Sequence, residues 1–332
     1  VKVLILPDKF RGTLTSGDFI EVATAALTPR HSVIARQISD GGEGLLEAVG
    51  GRSRPLVVRG PLGKDVESRY HLLRNGDAVV EMALASGLAL IGGATKNDPI
   101  AASTYGTGQL IRAAIEDGAT HIVVGCGGSA TTDGGWGALV ALGPKIDLPG
   151  LKLTALVDVE TTFLDAPADF APQKGATPLE VRFLERRQLA IAGQLLDRFG
   201  RSPLGLPKTG AAGGLAGMLY CAGGDLELGF DYLSELLGLE ELILEADLVL
   251  TGEGCLDNES FNGKVVGRII ERCTYLSRRI VVVVGMIASD FDRNHLSEGV
   301  ELVSLAERYG EDRSIIHTKE CLRDAIGAVS LD

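Results

Sequence analysis

Four glycine-containing segments carry acidic or hydroxyl side chains: PDKFRGTLTS (7–16), SDGGEG (39–44), GCGGSATTDGGWG (125–137) and TGEGCLDNESFNGK (251–264). A fifth, PKTGAAGGLAG (207–217), carries a lysine. Glycine lets consecutive backbone N–H groups converge on an anion, and a helix N-terminus that follows adds positive potential. Phosphate is the ligand that suits this combination. Carboxylates beside such a site are consistent with phosphate if Mg²⁺ lies between them, because they then ligate the metal. Asp8, Asp40, Glu43, Asp133, Glu253 and Asp257 are therefore candidates for metal ligation or for a general base, with Lys9, Arg11, Lys208 and Lys264 as nearby cations. Each acidic residue also has a plain structural reading, since Asp, Ser and Thr cap helices after strands in any α/β protein. A single glycine cluster can equally serve tight packing of a helix on a strand.

Other chemistry is poorly served. Gly125–Ala130 matches G-x-G-x-x-A, but no acidic residue closes a second strand about 20 residues on, as a dinucleotide site requires. Gly63-Lys64 and Gly263-Lys264 lack the earlier glycine and the Ser/Thr of a P-loop. The five cysteines are scattered without a C-x-x-C, and the five histidines show no metal-ligand spacing. Cys255 lies in a candidate loop without an adjacent base and reads as a spectator. Trp136 reads as core.

The elements that must hold these loops follow from periodicity. Val1 to Leu6 is a short apolar run closed by Pro7-Asp8, a buried parallel strand. Thr15 and Asp18 form a capping box, and Phe19, Ile20, Ala23, Ala26 and Leu27 recur at helical spacing. His31 to Ile38 is a second strand, so the chain opens β-loop-α-β. The C-terminal third repeats this pattern, with strand Asp247–Leu250, a glycine-rich loop, a helix through Arg272, then strands at 280–284 and 300–305. In the middle, Glu67–Leu73 and Ala78–Met82 flank Asn75-Gly76, a strong hairpin signal that implies antiparallel pairing. The expected fold class is two-domain α/β: a flavodoxin-like parallel domain built from both chain ends (1–60 and 240–332), with a mixed α/β domain inserted (61–239).

Composition narrows the partners. The 332 residues carry a net charge of −12, which disfavours nucleic acid or an anionic membrane, whose phosphates need a basic surface. Glycine numbers 44, nearly twice the usual share of about 7%. The longest apolar stretch, Ile280–Ala288, is too short for the roughly 18 residues of a bilayer span. With no basic-then-apolar leader and no disulfide pattern, the cytoplasm is the expected compartment.

The segments PDKFRGTLTS, SDGGEG, STYGTGQLIRAAIEDG (103–118), GCGGSATTDGG, FAPQKGAT (170–177), GAAGGLAG and DLVLTGEGCLDNESFNGK, in this order, resemble the bacterial glycerate kinase family of the glycerate 2-kinase type. The resemblance implies a flavodoxin-like domain interrupted by a second α/β domain, and ATP-dependent phosphorylation of D-glycerate, typically on the 2-hydroxyl. Glycerate and ATP are then the partners and ATP and Mg²⁺ the cofactors, and a homodimer is compatible with it. The reading places ATP phosphates against Gly127, Gly128, Ser129 and Thr131 and against Gly213 and Gly214, with Gly252 and Glu253 also at the nucleotide. Asp40, Glu43, Glu253 and Asp257 would hold the metal. Lys264 and Arg11 would grip the substrate carboxylate or the migrating phosphoryl group. Asp8, Asp40 or Asp133 would take the hydroxyl proton, with Asp40 preferred. The chain departs from the family pattern at Lys9 and Arg11, at Glu160-Thr161-Thr162, at Cys255 and at Glu259. These changes bear on substrate identity more than on fold. A kinase of another small hydroxy acid, a catalytically decayed nucleotide or carboxylate sensor, and a dehydrogenase are the alternative readings.

Overall fold

Val3, Leu4 and Ile5 are buried on both faces of their strand, as an all-apolar run in the middle of a parallel sheet must be. In the computed structural model, which describes residues 1–10, 12–261 and 263–329, eleven strands occur in chain order. They are β1 (Lys2–Ile5), β2 (Ser32–Ala35), β3 (Arg52–Arg59), β4 (Asp65–Leu72), β5 (Ala78–Glu81) and β6 (His121–Gly125). β7 (Lys152–Val157), β8 (Asp225–Leu228), β9 (Leu248–Leu256), β10 (Arg279–Ile287) and β11 (Val300–Ser304) follow. The chain divides into two compact units, Val1–Ser39 with Leu233–Asp332, and Asp40–Tyr232.

The first unit holds a five-stranded sheet in the order β11-β10-β9-β1-β2, parallel throughout. Counted along the unit this is 2-1-3-4-5, the flavodoxin-like order, whose ligand crevice lies at the carboxyl ends where the order reverses, between β1 and β9. Helix Ser16–Leu27 begins at Thr15, whose side chain accepts from Asp18 N while the Asp18 carboxylate accepts from Thr15 N, so the expected capping box is present. The helix turns Phe19, Val22, Ala23 and Leu27 into a core shared with β1, β9, β10 and helix Thr318–Gly327.

The second unit holds a six-stranded sheet, β3-β4-β5-β6-β7-β8. β3, β4 and β5 pair antiparallel and β5 to β8 parallel, the mixed sheet expected from the hairpin at Asn75-Gly76. β3 pairs along its whole length with β4, which draws residues 52–59 into this unit, so the first crossing follows Ser39 rather than residue 60. The 22-residue helix Pro178–Phe199 is set by a second capping box, Thr177 with Glu180, and ended by Gly200 in the left-handed conformation. No helix among the described residues is long and apolar enough to cross a membrane.

The segment 251–256 is a correction. The sequence places a glycine-rich loop directly after Leu250, but β9 runs on to Leu256 and pairs with β10 as far as Leu256 with Ile287. Gly252 marks a crowded strand interior: a Cβ there would lie 2.0 Å from the Val283 carbonyl and 3.0 Å from the Phe19 ring.

Candidate active site

In the second unit, parallel strands β5 to β8 end at Glu81, Gly125, Val157 and Leu228, and the SDGGEG turn lies across three of these ends. A Cβ on Gly125 would come 2.4 Å from Gly41 O, one on Gly127 2.4 Å from Gly42 Cα, and one on Gly229 1.9 Å from Asp40 O. Residues 40–44 can rest on these loops only because the contacts are backbone on backbone. Asp40 Oδ1 accepts from Gly42 N at 3.0 Å, fixing the turn, and the Glu43 side chain reaches Gly128.

The 125–137 segment then folds back on itself. Cys126 N bonds to Leu156 O and Ala130 N to Ser86 O, whereas the N–H groups of Gly127, Gly128 and Ser129 meet no acceptor among the described residues. Lys174, from FAPQKGAT, reaches under this turn. Its Nζ donates to Ser129 Oγ at 2.8 Å and Thr131 O at 2.7 Å. Burial holds the Lys174 ammonium down, to about 7, with Asp133 acting the other way.

Gly213 and Gly214 back the turn from behind. Gly213 O accepts from Gly134 N at 2.9 Å and Gln188 Nε2 at 3.2 Å, and a Cβ on Gly213 would meet Thr131 O at 2.1 Å. The N–H of Gly214 donates to Gly210 O, within its own turn. The departure at 160–162 packs here too: Gly210 N donates to Thr161 O, and Glu160 lies 3.8 Å from Lys208.

Asp133 is buried and saturated. Its two oxygens accept from Thr104 N (2.8 Å), the Thr104 hydroxyl (2.9 Å), Gly135 N (3.2 Å) and Gly137 N (3.1 Å). Arg187 completes the scaffold, donating to Ile100 O and Thr132 O. A cavity of about 400 Å³ lined by Ile100, Ser103, Asp133, Trp136, Arg187 and Ile191 adjoins the turn. Trp136, expected in the core, is 38% exposed at this cavity, because helix Trp136–Leu142 buries Gly137, Ala138 and Leu139 instead.

The first unit gathers a cluster of its own residues at its switch point. Asp8 N donates to Gly252 O, which joins the loop after β1 to β9. Glu253 is buried, and its Oε1 has no partner among the described residues. Burial pushes its carboxyl up to about 8; the Ser260 hydroxyl and Lys264 oppose this, and the charges of Asp8 and Asp257 add to it. Asp257 Oδ1 accepts from Ser260 N and Oγ, and Lys264 Nζ lies 3.1 Å from Glu259. Cys255 is half-buried, and burial raises its thiol, in keeping with a spectator. Arg11 lies outside the described residues.

Sequence reasoning therefore placed residues of two clusters, one in each unit. It missed Lys174, Arg187 and Glu81. Lys174 sits in the FAPQKGAT motif but carried no role, and Arg187 is one of several basic residues on a long amphipathic helix. Glu81 is the one acidic residue closing the apolar strand β5, which was a usable signal.

A family model described as the glycerate kinase family matches residues 3–148 and 145–330. The chain belongs to the glycerate kinase family. A relative from Escherichia coli named glycerate 2-kinase is 32% identical, the alignment covering 91% of this chain and 90% of that protein. A Bacillus subtilis glycerate kinase is 33% identical over 87% and 86% of the two chains. A crystal structure described as a "putative glycerate kinase 2 from Salmonella typhimurium LT2" superposes with a TM-score of 0.80 at 29% identity, covering 98% of this chain and 96% of that one. The two-sheet architecture is thus shared with a structure bearing the family name.

Glu81 gives this glycerate kinase family member a pH-dependent stability term. Its carboxylate accepts from Leu46 N at 3.3 Å, beneath the SDGGEG turn, and burial pushes it up from 4.5 to about 7, against the Leu46 bond and with the nearby charge of Glu47. A carboxyl raised in the folded state binds a proton there that the unfolded chain has lost, so stability falls as pH rises from 4.5 to about 7 and the full cost persists above. Glu81→Gln is expected to be more stable than the wild type above pH 7, by on the order of 1–3 kcal/mol, with the difference shrinking towards pH 5. Paired urea titrations across this range check it, and a pH-independent difference would refute it.

Proposed function

We propose that this member of the family is an ATP-dependent kinase that phosphorylates D-glycerate on the 2-hydroxyl. The observation that carries the reading is the turn at 127–131. Three of its N–H groups are without acceptors among the described residues, a buried lysine donates to Ser129 Oγ and Thr131 O of the same turn, and glycine-rich segments from three parts of the chain close in. Such a nest suits a phosphate. The E. coli relative named glycerate 2-kinase supports the choice of hydroxyl.

Phosphoryl transfer is chiefly positioning and charge neutralisation. Gly127, Gly128, Ser129 and Thr131 hold phosphate oxygens, and Gly213 and Gly214 keep that turn in shape. Asp40, fixed by Gly42 N, accepts the proton of the hydroxyl. Lys264 and Arg11 grip the substrate carboxylate or the migrating phosphoryl group, Asp8 is a second candidate for the base, and Gly252 and Glu253 serve the nucleotide. Mg²⁺ supplies charge neutralisation of the phosphates when bound. Among the described residues no group of three or more His, Cys, Asp or Glu forms a metal cage. That fits an ion held by one or two carboxylates and the nucleotide's own oxygens. Asp40 and Glu43 in one unit, and Asp257 with Glu253, whose Oε1 has no partner among the described residues, in the other, are the donors available. The chemistry needs no group outside a cytoplasmic milieu.

The test is ADP release from ATP with Mg²⁺ and D-glycerate, and NMR of the product. Expected are glycerate-dependent ADP and 2-phosphoglycerate. A 3-phosphoglycerate product would overturn the regiochemistry, preference for another hydroxy acid would overturn the substrate, and nucleotide binding without turnover would leave a sensor.

A further inference from the structure

Among the described residues, no carboxylate pairs with the buried ammonium of Lys174. It is 5% exposed, and Nζ donates to one hydroxyl and one carbonyl, both on the 129–131 turn. The Phe170 ring lies 6.0 Å away on one side. Asp133 is the nearest carboxylate to influence it, and its oxygens are already taken by four donors. Arg187, which donates to Thr132 O and is itself influenced by Asp133 and Asp98, adds a second cation to the same side. Asn97 fastens the lysine in place: its amide donates both to Lys174 O and to Ala130 O. A buried charge is retained at a cost unless a partner compensates it. The N–H groups of Gly127, Gly128 and Ser129, on the same turn, also lack partners among the described residues. Both deficits are of the same sign, and one anion on the turn would meet both.

We infer that Lys174 is the buried counter-charge of a phosphoryl group held on the 127–131 turn, acting as a positioning residue through Ser129 and Thr131. The inference rests on the phosphate site proposed above and assigns it a cation that lies beneath the backbone and outside contact with the ligand. One consequence is linked protonation. With the ammonium held down to about 7, the free protein near pH 8 carries Lys174 mostly neutral, and a bound dianion draws a proton onto it. Near pH 6 the lysine is charged in both states and the linkage disappears.

The experiment is calorimetric titration of ADP into the intact protein, in two buffers of different ionisation enthalpy, at pH 8 and pH 6, for the wild type and Lys174→Met. Comparing the two proteins cancels protons that belong to ADP itself. The wild type is expected to take up more protons than the variant at pH 8, by a large fraction of one proton, and no more at pH 6. The variant should bind ADP roughly 10- to 100-fold more weakly at pH 6, where the wild-type lysine is charged. Methionine keeps the volume but leaves Ser129 Oγ and Thr131 O without the lysine's hydrogen bonds, so a modest fall in melting temperature is expected. Equal proton uptake and equal affinity would overturn the role of Lys174 while leaving the nucleotide site standing. Failure of the wild type to bind ADP or inorganic phosphate would overturn the site and the inference together. If Lys174→Met fails to fold, wild-type uptake at pH 8 that does not exceed uptake at pH 6 overturns the inference by itself.

Discussion

With Asp40 as the base proposed above, Asp40→Asn is expected to lower turnover with ATP and D-glycerate by about 10²–10⁴-fold, the usual loss when a general base is removed. The fold should hardly notice. The bond that shapes the SDGGEG turn runs from Gly42 N to Asp40 Oδ1, and an asparagine carbonyl accepts it equally well. The backbone contacts of Gly125, Gly127 and Gly229 with residues 40–42 involve no side chain of Asp40. Stability should therefore stay within about 0.5 kcal/mol of the wild type. Because the amide cannot take a proton, the loss should fall on kcat with ADP affinity little changed. Steady-state kinetics with a parallel urea titration check both halves. Full turnover in the variant would pass the role of base to another carboxylate.

The two sheets were legible because their signals are local. An apolar run ending in Pro7-Asp8 has few other ways to fold, and Asn75-Gly76 between alternating segments gives the hairpin that makes the second sheet mixed. β9 was misjudged because glycine in TGEG serves close packing against Val283 and Phe19, a requirement set by neighbours more than 30 residues away along the chain on one side and over 200 on the other. The same limit applies to the site. That 39–44, 125–137 and 207–217 are rich in glycine is visible in the sequence, but their mutual contact is a tertiary fact. Lys174 and Glu81 were missed for a related reason. Each matters through burial beside a turn from another part of the chain, and burial of a single charged residue leaves no periodic trace. Trp136 shows the converse error: an aromatic residue was assigned to the core by type, although its helix buries the next three residues.

The same chemical change at Asp133 should act on stability where at Asp40 it acts on rate. Asp133 Oδ2 accepts from Thr104 N, the Thr104 hydroxyl and Gly137 N, and Oδ1 from Gly135 N and that hydroxyl. Thr104 in turn accepts from Ala138 N, so the carboxylate ties residues 103–104 to the start of helix Trp136–Leu142. In Asp133→Asn one oxygen becomes an NH₂ group that must face donors, whichever way the amide is turned. Hydrogen bonds to a charged acceptor are worth roughly 1.5–3 kcal/mol each, and a buried donor left unmade costs about 1–3 kcal/mol. Partial relaxation reduces the sum, and the expected destabilisation is about 2–4 kcal/mol, read as a lower urea midpoint. Turnover per folded molecule should fall less than in Asp40→Asn, because Gly127, Gly128 and Ser129 are held independently by Cys126, Ala130 and Lys174. A variant as stable as the wild type that loses turnover by about 10³-fold or more would reverse the assignment and make Asp133 the base.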